Sequence, residues 1–388
     1  MAVQQDVAVR AIARVNLAAI ERNVARMRRE LAVHGALCAV VKADGYGHGA
    51  IAAARAALAG GATWLAVVAA QEAAALRAAG IQAPILVMGA LSPHELDLAL
   101  DADADVVAWD ESFVAAVAAR GGGSVHVKLD TGMGRLGTRD AAAATRVAEA
   151  AATTDGVVLA GAMTHFATAD ERGDTYFGEQ LEPFAAWAAA LKSRHPSLIV
   201  HAANSAATLR DPAAHFDMVR TGVAIYGLDP FLEDPAARDL EPALELRSYV
   251  AAVKPIAPGQ SAGYGRRFVA EQPTYTATLP IGYGDGVRRN LTNNADVLVR
   301  GTRRPLVGAV SMDNVMLDVG SPPGAAVGDD AVLIGAQGEE RIYAEELAQR
   351  LGTINYEITC GLLARVPRVY HRDGEPAPVT PAGDQGLP

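Results

Sequence analysis

Lysine is nearly missing from this 388-residue chain. Lys42, Lys128, Lys192 and Lys254 are the only four, and arginine supplies the rest of the 34 basic residues. Cysteine is scarcer still: Cys38 and Cys360 cannot build a disulfide framework or a thiolate metal cage, and Cys38, inside an apolar run, is expected to be a buried thiol. Positive charge is in short supply, 34 basic residues against 44 acidic ones, for a net charge of −10. Such a balance excludes general affinity for nucleic-acid phosphates or anionic membrane surfaces. Long apolar runs are absent too, because Glu, Arg or Gln interrupts each Ala-rich stretch before it reaches about 18 residues. The first ten residues, MAVQQDVAVR, lack the basic head and apolar core of a signal peptide. A cytoplasmic protein without a membrane span is therefore expected.

Where arginine has replaced so much lysine, a surviving lysine is a candidate for what a guanidinium cannot do: attack a carbonyl as a neutral amine or carry a covalent adduct. Lys192, in AALKSRH, reads as a solvated helix end, and Lys254, before Pro255, as a strand edge. Lys42 and Lys128 stand at the ends of apolar strands instead.

Between about residues 37 and 228, eight short apolar runs alternate with Ala-, Leu- and Glu-rich helical stretches. The runs are CAVVKA (38–43), WLAVV (64–68), APILVMG (83–89), ADVVAW (104–109), VHVKLD (125–130), LAGAMTHF (159–166), LIVHAAN (198–204) and MVRTGVAIYG (218–227). Eight strand–helix units predict an α/β fold, a (β/α)8 TIM barrel. An open doubly wound sheet is disfavoured, since DGYGHG after the first run does not fit the G-x-G-x-x-G turn. Beyond the predicted linker 231–242, strand-like runs punctuated by Gly, Pro, Asn and Asp predict a β-rich domain over 243–371. The Pro- and Gly-rich stretch 372–388 is expected to be a disordered tail.

Barrel active sites lie at the C-terminal ends of the strands. There the sequence places Lys42, Lys128 with Asp130, His165, His201 with Asn204 and Ser205, and Arg220 with Gly222. A lysine desolvated at a strand end is a candidate Schiff-base former, although a paired rim charge would read the same way. The small, hydroxylated NSAAT and the TGVAIYG segment after strands seven and eight could present N–H groups to a phosphate. Lysine, phosphate cradle and a strand-eight arginine together suggest pyridoxal phosphate, with Arg220 facing the pyridine nitrogen. No metal is expected, because His48, His165 and His201 fall on different strand ends without ligand spacing.

The run AVVKADGYGHGA (39–50) resembles the cofactor-attachment segment of alanine racemases. VKLDTGMGRLG (127–137), MTHFATAD (163–170), HAANSAAT (201–208), VRTGVAIYGLDP (219–230), PIGYGDG (280–286), GAVSMDNVMLDVG (308–320) and YEITCGLLARVPRVY (356–370) follow in the family's order. The resemblance implies pyridoxal-phosphate-dependent interconversion of L- and D-alanine for peptidoglycan, on a barrel of residues 18–230 followed by a β-domain. It implies further that residues 1–17 contribute a strand to that β-domain. Lys42 would carry the cofactor and act as one of two proton-transfer groups, and Tyr264 would be the other, since racemisation needs a base on each face of Cα. His165 and Arg220 would form a chain to the pyridine nitrogen. Tyr46, Ser205, Gly222, Val223 and Tyr356 would contact phosphate and ring, with His201 and Asn204 supporting them. Arg135 would bind the phenolic oxygen and the substrate carboxylate, and Lys128 matches a position that carries a carbamate in some members. Tyr264, Met312 and Asp313 would enter the active site from the other subunit of a homodimer, and Tyr283 would line the substrate entrance. The alternatives are a broad-specificity or serine-preferring racemase on the same scaffold, and a non-catalytic pyridoxal-phosphate-binding protein of the barrel-only type.

Overall fold

The computed structural model describes residues 9–32 and 35–377. The described chain divides into two compact units, one running from Ile20 to Phe231 and the other combining residues 9–19 with residues 232–377.

The first unit is the barrel. Strand β1 (Ala11–Asn16) precedes it, and eight parallel strands close it: β2 (Ala36–Val40), β3 (Trp64–Val67), β4 (Ile85–Val87), β5 (Asp105–Ala108), β6 (Gly123–Lys128), β7 (Val157–Met163), β8 (Ile199–His201) and β9 (Met218–Thr221). β9 returns to pair with β2, with Cys38 opposite Arg220. All eight apolar runs of the sequence became barrel strands. They were readable as continuous runs because a parallel strand between helices and a barrel interior is buried on both faces, as β4 and β9 are throughout.

Local chemistry sets the helix starts. Ser92 accepts from the Glu95 amide while Glu95 accepts from the Ser92 amide, and Pro93 takes the first helical position. Asp110 and Asp140 cap the next two helices through the amides of Phe113 and Ala142. Helices rich in alanine pack close to the strands, and larger side chains fill what remains. Phe184, Leu191 and Tyr226 are fully buried, each contributing about 1.5–3 kcal/mol of apolar burial. Tyr226 also donates its hydroxyl to the Val40 carbonyl at 3.0 Å.

The second unit is built on antiparallel sheets: β10 (Leu244–Tyr249), β11 (Ala252–Ile256), β12 (Ser261–Ala262), β13 (Phe268–Val269), β14 (Thr274–Leu279), β15 (Asp296–Val299), β16 (Thr302–Pro305), β17 (Val315–Asp318), β18 (Asp330–Gln337), β19 (Glu340–Ile342), β20 (Arg368–Arg372) and β21 (Glu375–Pro376). The larger sheet has the order β16-β15-β18-β10-β1-β20-β21, with β19 on β18, and β11-β14-β17 form a smaller one. β1 and β10 both alternate buried residues with part-buried or exposed ones, the pattern of strands with one face on a core. β1 sits between β10, antiparallel, and β20, parallel.

The expectation of disorder from residue 372 is corrected where the chain is described. Arg372 pairs with Glu375 and His371 with Pro376 in a short hairpin. Its turn is Asp373-Gly374, both at positive φ (50° and 96°), as hairpin turns of this type require. Asn16 clamps the turn, donating to Asp373 Oδ1 at 3.0 Å and accepting from the Asp373 amide at 3.2 Å. Residues 378–388 of the expected tail lie outside the described residues. No helix among the described residues is long and apolar enough to cross a membrane.

Candidate active site

Lys42 follows β2 and opens a turn of rare handedness. Ala43, Asp44, Gly45 and Tyr46 have φ of 52°, 53°, 60° and 54°, four successive residues in the left-handed region. For the three that carry a Cβ this costs about 1–2 kcal/mol each. Local bonds offset the cost. The Ala43 amide donates to Glu72 Oε1 at 2.6 Å and the Ala50 amide to Asp44 Oδ1 at 2.9 Å. Glu72 Oε2 also accepts from the amides of Val68 and Ala69, so one carboxylate ties the Lys42 turn to the loop after β3. The turn sends the Tyr46 ring inward, where it is buried against Tyr226, ring centroids 5.1 Å apart.

Tyr46 closes over Gly222, the residue after β9. A Cβ at Gly222 would lie 2.3 Å from the Tyr46 hydroxyl, so this position has room only for hydrogen. Beside them Ser205 Oγ accepts from the amides of Gly222 and Ala224 at 3.0 and 3.3 Å. Asn204 caps the short helix that starts at Ser205, accepting from the Ala207 amide. Tyr46, Ser205, Gly222 and Val223 thus form one buried cluster of hydroxyls and amides.

Arg220, on β9, is buried, and both of its terminal nitrogens are engaged. Nη1 donates to His201 Nδ1 at 2.8 Å, while Nη2 donates to the carbonyls of Thr164 and Ala202 at 2.8 and 2.9 Å and lies 3.3 Å from His165 Nδ1. None of these bonds uses Nε. Burial lowers the Arg220 pKa to about 10, which leaves it a cation at neutral pH. Burial and then the Arg220 charge hold both His165 and His201 well below the usual histidine range, so both are neutral. Arg135, Lys128 and Lys42 also bear on His165, so the rim's cations converge there.

Lys128 ends β6 and is almost fully buried. Burial, then Arg220 and Arg135, bring its pKa down to about 8, with Asp130 opposing. Asp130 itself is occupied elsewhere: burial pushes its carboxyl up, but the Gly134 and Gly132 amides and Arg139 more than compensate and hold it low. Cys38 is a buried thiol, pushed up to about 12 by burial.

Tyr264, Tyr283, Met312, Asp313 and Tyr356 belong to the other unit. Tyr264 stands on a single 3-10 turn and is 74 % exposed. Tyr283 and Met312 are exposed neighbours, because two loops are zipped together: the Tyr283 amide donates to the Ser311 carbonyl and the Gly284 amide to the Met312 carbonyl. Asp285, fully buried, fastens them through Arg10 at 2.9 Å and Arg365 at 2.7 Å, and Arg365 reaches on to Asp313 at 2.8 Å. Tyr356 lies on the helix Asn355–Cys360.

Sequence reasoning missed Glu72, Asp285, Arg365 and a pair formed by buried His126 and half-buried Asp105. His126 carried a usable signal: it shares the strand parity of Lys128, two residues later on β6, so both side chains point the same way.

A closed parallel barrel with a strand-end lysine, a hydroxyl-and-amide cradle and a buried arginine, joined to a β-rich unit, defines a pyridoxal-phosphate-dependent enzyme of the barrel type. Residues 15–230 match the model of the alanine racemase N-terminal domain and residues 243–370 that of the C-terminal domain. The chain belongs to the alanine racemase family, pyridoxal-phosphate-dependent isomerases whose general role is peptidoglycan supply. It is 43% identical to an alanine racemase of Symbiobacterium thermophilum, over 92% of this chain and 96% of that one. It is 40% identical to alanine racemase 1 of Bacillus subtilis, over 93% of each. Among solved structures, the alanine racemase of Bacillus anthracis with bound L-Ala-P superposes with a TM-score of 0.88 at 36% identity, covering 96% of this chain and 98% of that one. The Streptomyces coelicolor A3(2) enzyme gives 0.87 at 38% identity, covering 94% and 98%.

Proposed function

We propose that this protein interconverts L- and D-alanine by a two-base reaction on pyridoxal phosphate, and that it does so in the cytoplasm as a homodimer with composite active sites. The observation that carries the reading is the pairing of the Gly222–Tyr46 cradle with the locked Arg220 fork. The cradle suits a phosphate: Tyr46 and Ser205 offer hydroxyls and Val223 a backbone amide, the Gly222 amide holds Ser205 Oγ in place, and a methyl group at Gly222 would fill the space. Arg220 has Nε left over for a ring nitrogen, with His165, His201 and Asn204 as its supporting shell and Tyr356 completing the ring contacts. When bound, pyridoxal phosphate supplies an electron sink that acidifies the substrate Cα–H. An arginine facing its ring nitrogen donates a hydrogen bond without surrendering a proton, which restrains charge build-up on the ring and so restrains side reactions such as transamination.

Lys42 holds the cofactor covalently and then moves a proton at Nζ on one face of Cα. Tyr264 of the partner subunit moves a proton at its hydroxyl on the opposite face. Arg135 binds the substrate carboxylate and the cofactor's phenolic oxygen, Met312 and Asp313 of the partner subunit reach into the site to bind substrate, and Tyr283 lines the substrate's entrance. Lys128 as a carbamate would become an anion able to orient Arg135. Its lowered pKa favours this, because only the neutral amine adds carbon dioxide.

The deciding experiment follows L-alanine in D2O with the purified holoenzyme, by chiral chromatography and by the proton NMR signal of Cα, with L-serine in parallel. D-alanine formation with Cα deuteration is expected. Tyr264→Phe should keep the visible absorbance of the bound cofactor yet lose exchange chiefly on one face. Equal retention of both directions in that variant would overturn the two-base assignment, and faster turnover of serine would move the substrate to the serine-preferring reading.

A further inference from the structure

No carboxylate is among the hydrogen-bond partners of buried Arg220, whose bonds run to two imidazoles and two carbonyls among the described residues. A buried cation without a counter-ion is costly, and following its bonds leads to one. His201, which takes the Nη1 proton on Nδ1, has Nε2 2.8 Å from His126 Nδ1, and His126 Nε2 lies 2.9 Å from Asp105 Oδ2. Arginine can only donate, so every proton in the row is fixed. His201 must accept on Nδ1 and donate from Nε2. His126 must then accept on Nδ1 and donate from Nε2 to the carboxylate. Two neutral imidazoles of the same tautomer therefore join a cation to an anion.

The barrel is shaped around this row. Gly161 on β7 makes room for His126, since a Cβ there would come within 2.1 Å of Nδ1, and the pairing of β6 with β7 slips by one residue at that point. The rings of Trp64 and His126 pack in a T-shape, centroids 5.9 Å apart, and His126 is fully buried. Asp105 begins β5 and faces a cavity of about 450 Å³ at the N-terminal mouth of the barrel, beside Arg77, Gln82, Asp103 and Ser124. The row thus runs from that mouth through the barrel interior to Arg220, towards the strand ends where the rim residues stand.

We propose that Asp105 and His126 are positioning residues for Arg220: the carboxylate at the solvent-side mouth, acting through His126 and His201, fixes the orientation and the charge with which the guanidinium meets the cofactor ring. This rests on the reading of Arg220 as the partner of the ring nitrogen. It makes the far end of the barrel part of the apparatus that sets the cofactor's electronic state.

Two measurements on the holoenzyme test it. Solid-state nitrogen NMR of histidine-labelled protein, compared with His126→Gln, should show His126 and His201 neutral, with protonated Nε2 and bare Nδ1. A cationic ring or the opposite tautomer would overturn the proposal without any need for a variant at Asp105. Asp105→Asn keeps an acceptor of the same shape and removes the charge. It should lower kcat by about tenfold, the usual scale for losing a group that orients another, with KM unchanged and the visible band of the bound cofactor displaced. Asp105→Glu should restore both. If Asp105→Asn leaves kcat and spectrum as in the parent while Arg220→Lys shifts the spectrum, the relay is wrong and the assignment of Arg220 survives. If Arg220→Lys also leaves the spectrum unmoved, that assignment fails and takes the proposal with it.

Discussion

The Tyr46 hydroxyl and the α-carbon of Gly222 pack so closely that a single methyl group on the glycine would sit 2.3 Å from the oxygen. The contact joins the left-handed turn after β2 to the first residue beyond β9, and so closes the ends of the first and last barrel strands over the proposed phosphate site.

Gly222→Ala should therefore displace Tyr46. The expected result is weaker cofactor retention, by about 10- to 100-fold, with the barrel still folded. Equilibrium dialysis against pyridoxal phosphate measures the first and circular dichroism the second. Undiminished retention would remove Gly222 and Tyr46 from the phosphate site.

Glu72 makes a sharper case for a residue outside the site. Its carboxylate accepts from the amides of Ala43, Val68 and Ala69. Glu72→Ala strands those donors beside a turn that is already strained, and should destabilise the barrel by about 1–3 kcal/mol. Urea denaturation gives the loss. Release of cofactor on dilution should accelerate as well, since Lys42 opens that turn, and Glu72→Gln should lie between the parent and the alanine variant.

Gly222 was legible in the sequence and Glu72 was not. The eight apolar runs were legible because strands buried on both faces need no alternation, and the ends of those strands then ranked Lys42, Lys128, His201 and Arg220 together. Glu72 was illegible because its importance comes from three amides that meet only once the chain is folded. His126 and Asp105 are 21 residues apart on neighbouring strands, and neither the β5–β6 register that brings them together nor the room Gly161 leaves for the ring is recorded in any periodicity. The hairpin at Asp373-Gly374 was overlooked for a simpler reason: its turn dipeptide was present, but the Pro- and Gly-rich stretch around it masked so short a strand.

Lys128 carries a pH signature. Its pKa falls from an ordinary 10.5 to about 8 on folding, chiefly through burial. Below about pH 8 both folded and unfolded chains hold the proton, and the fold bears the full cost of the buried charge. Between about 8 and 10.5 only the unfolded chain is protonated, so stability should climb with pH, and above that range the contribution is nil. In carbon-dioxide-free buffer at pH 7, Lys128→Met should be more stable than the parent by about 1–2 kcal/mol, discounted from the full shift for solvent access, and the difference should close by pH 10.5. Added bicarbonate should reverse the order at pH 8 if the carbamate forms, because an anion beside Arg220 and Arg135 is stabilised where an ammonium is not. Carbon-13 NMR with labelled bicarbonate detects the adduct directly. A parent protein indifferent to both pH and bicarbonate would leave Lys128 as an ordinary buried cation.

The loop pair in the β-rich unit should separate binding from chemistry. Asp285 is buried between Arg10 and Arg365 and also accepts from the Gly282 amide. Asp285→Asn leaves both guanidiniums with Asp313 alone, 2.8 Å from Arg365 and 3.6 Å from Arg10. Because each arginine side chain is 40% exposed, the cost should be about 1–3 kcal/mol rather than that of a fully buried ion pair. Arg365 holds the Met312 carbonyl and the Asp313 carboxylate at the same time, so the segment loses its anchor when Arg365 is freed. With Met312 and Asp313 binding substrate, as proposed, KM for alanine should rise several-fold while kcat changes little, because the proposed proton-transfer groups Lys42 and Tyr264 are untouched. Arg365→Ala should show the same split, and the double variant should be no worse than either single one, since both remove the same fastening. Steady-state kinetics in both directions decide the matter: a fall in kcat at constant KM would place this network on the proton-transfer step and take Met312 and Asp313 out of substrate binding.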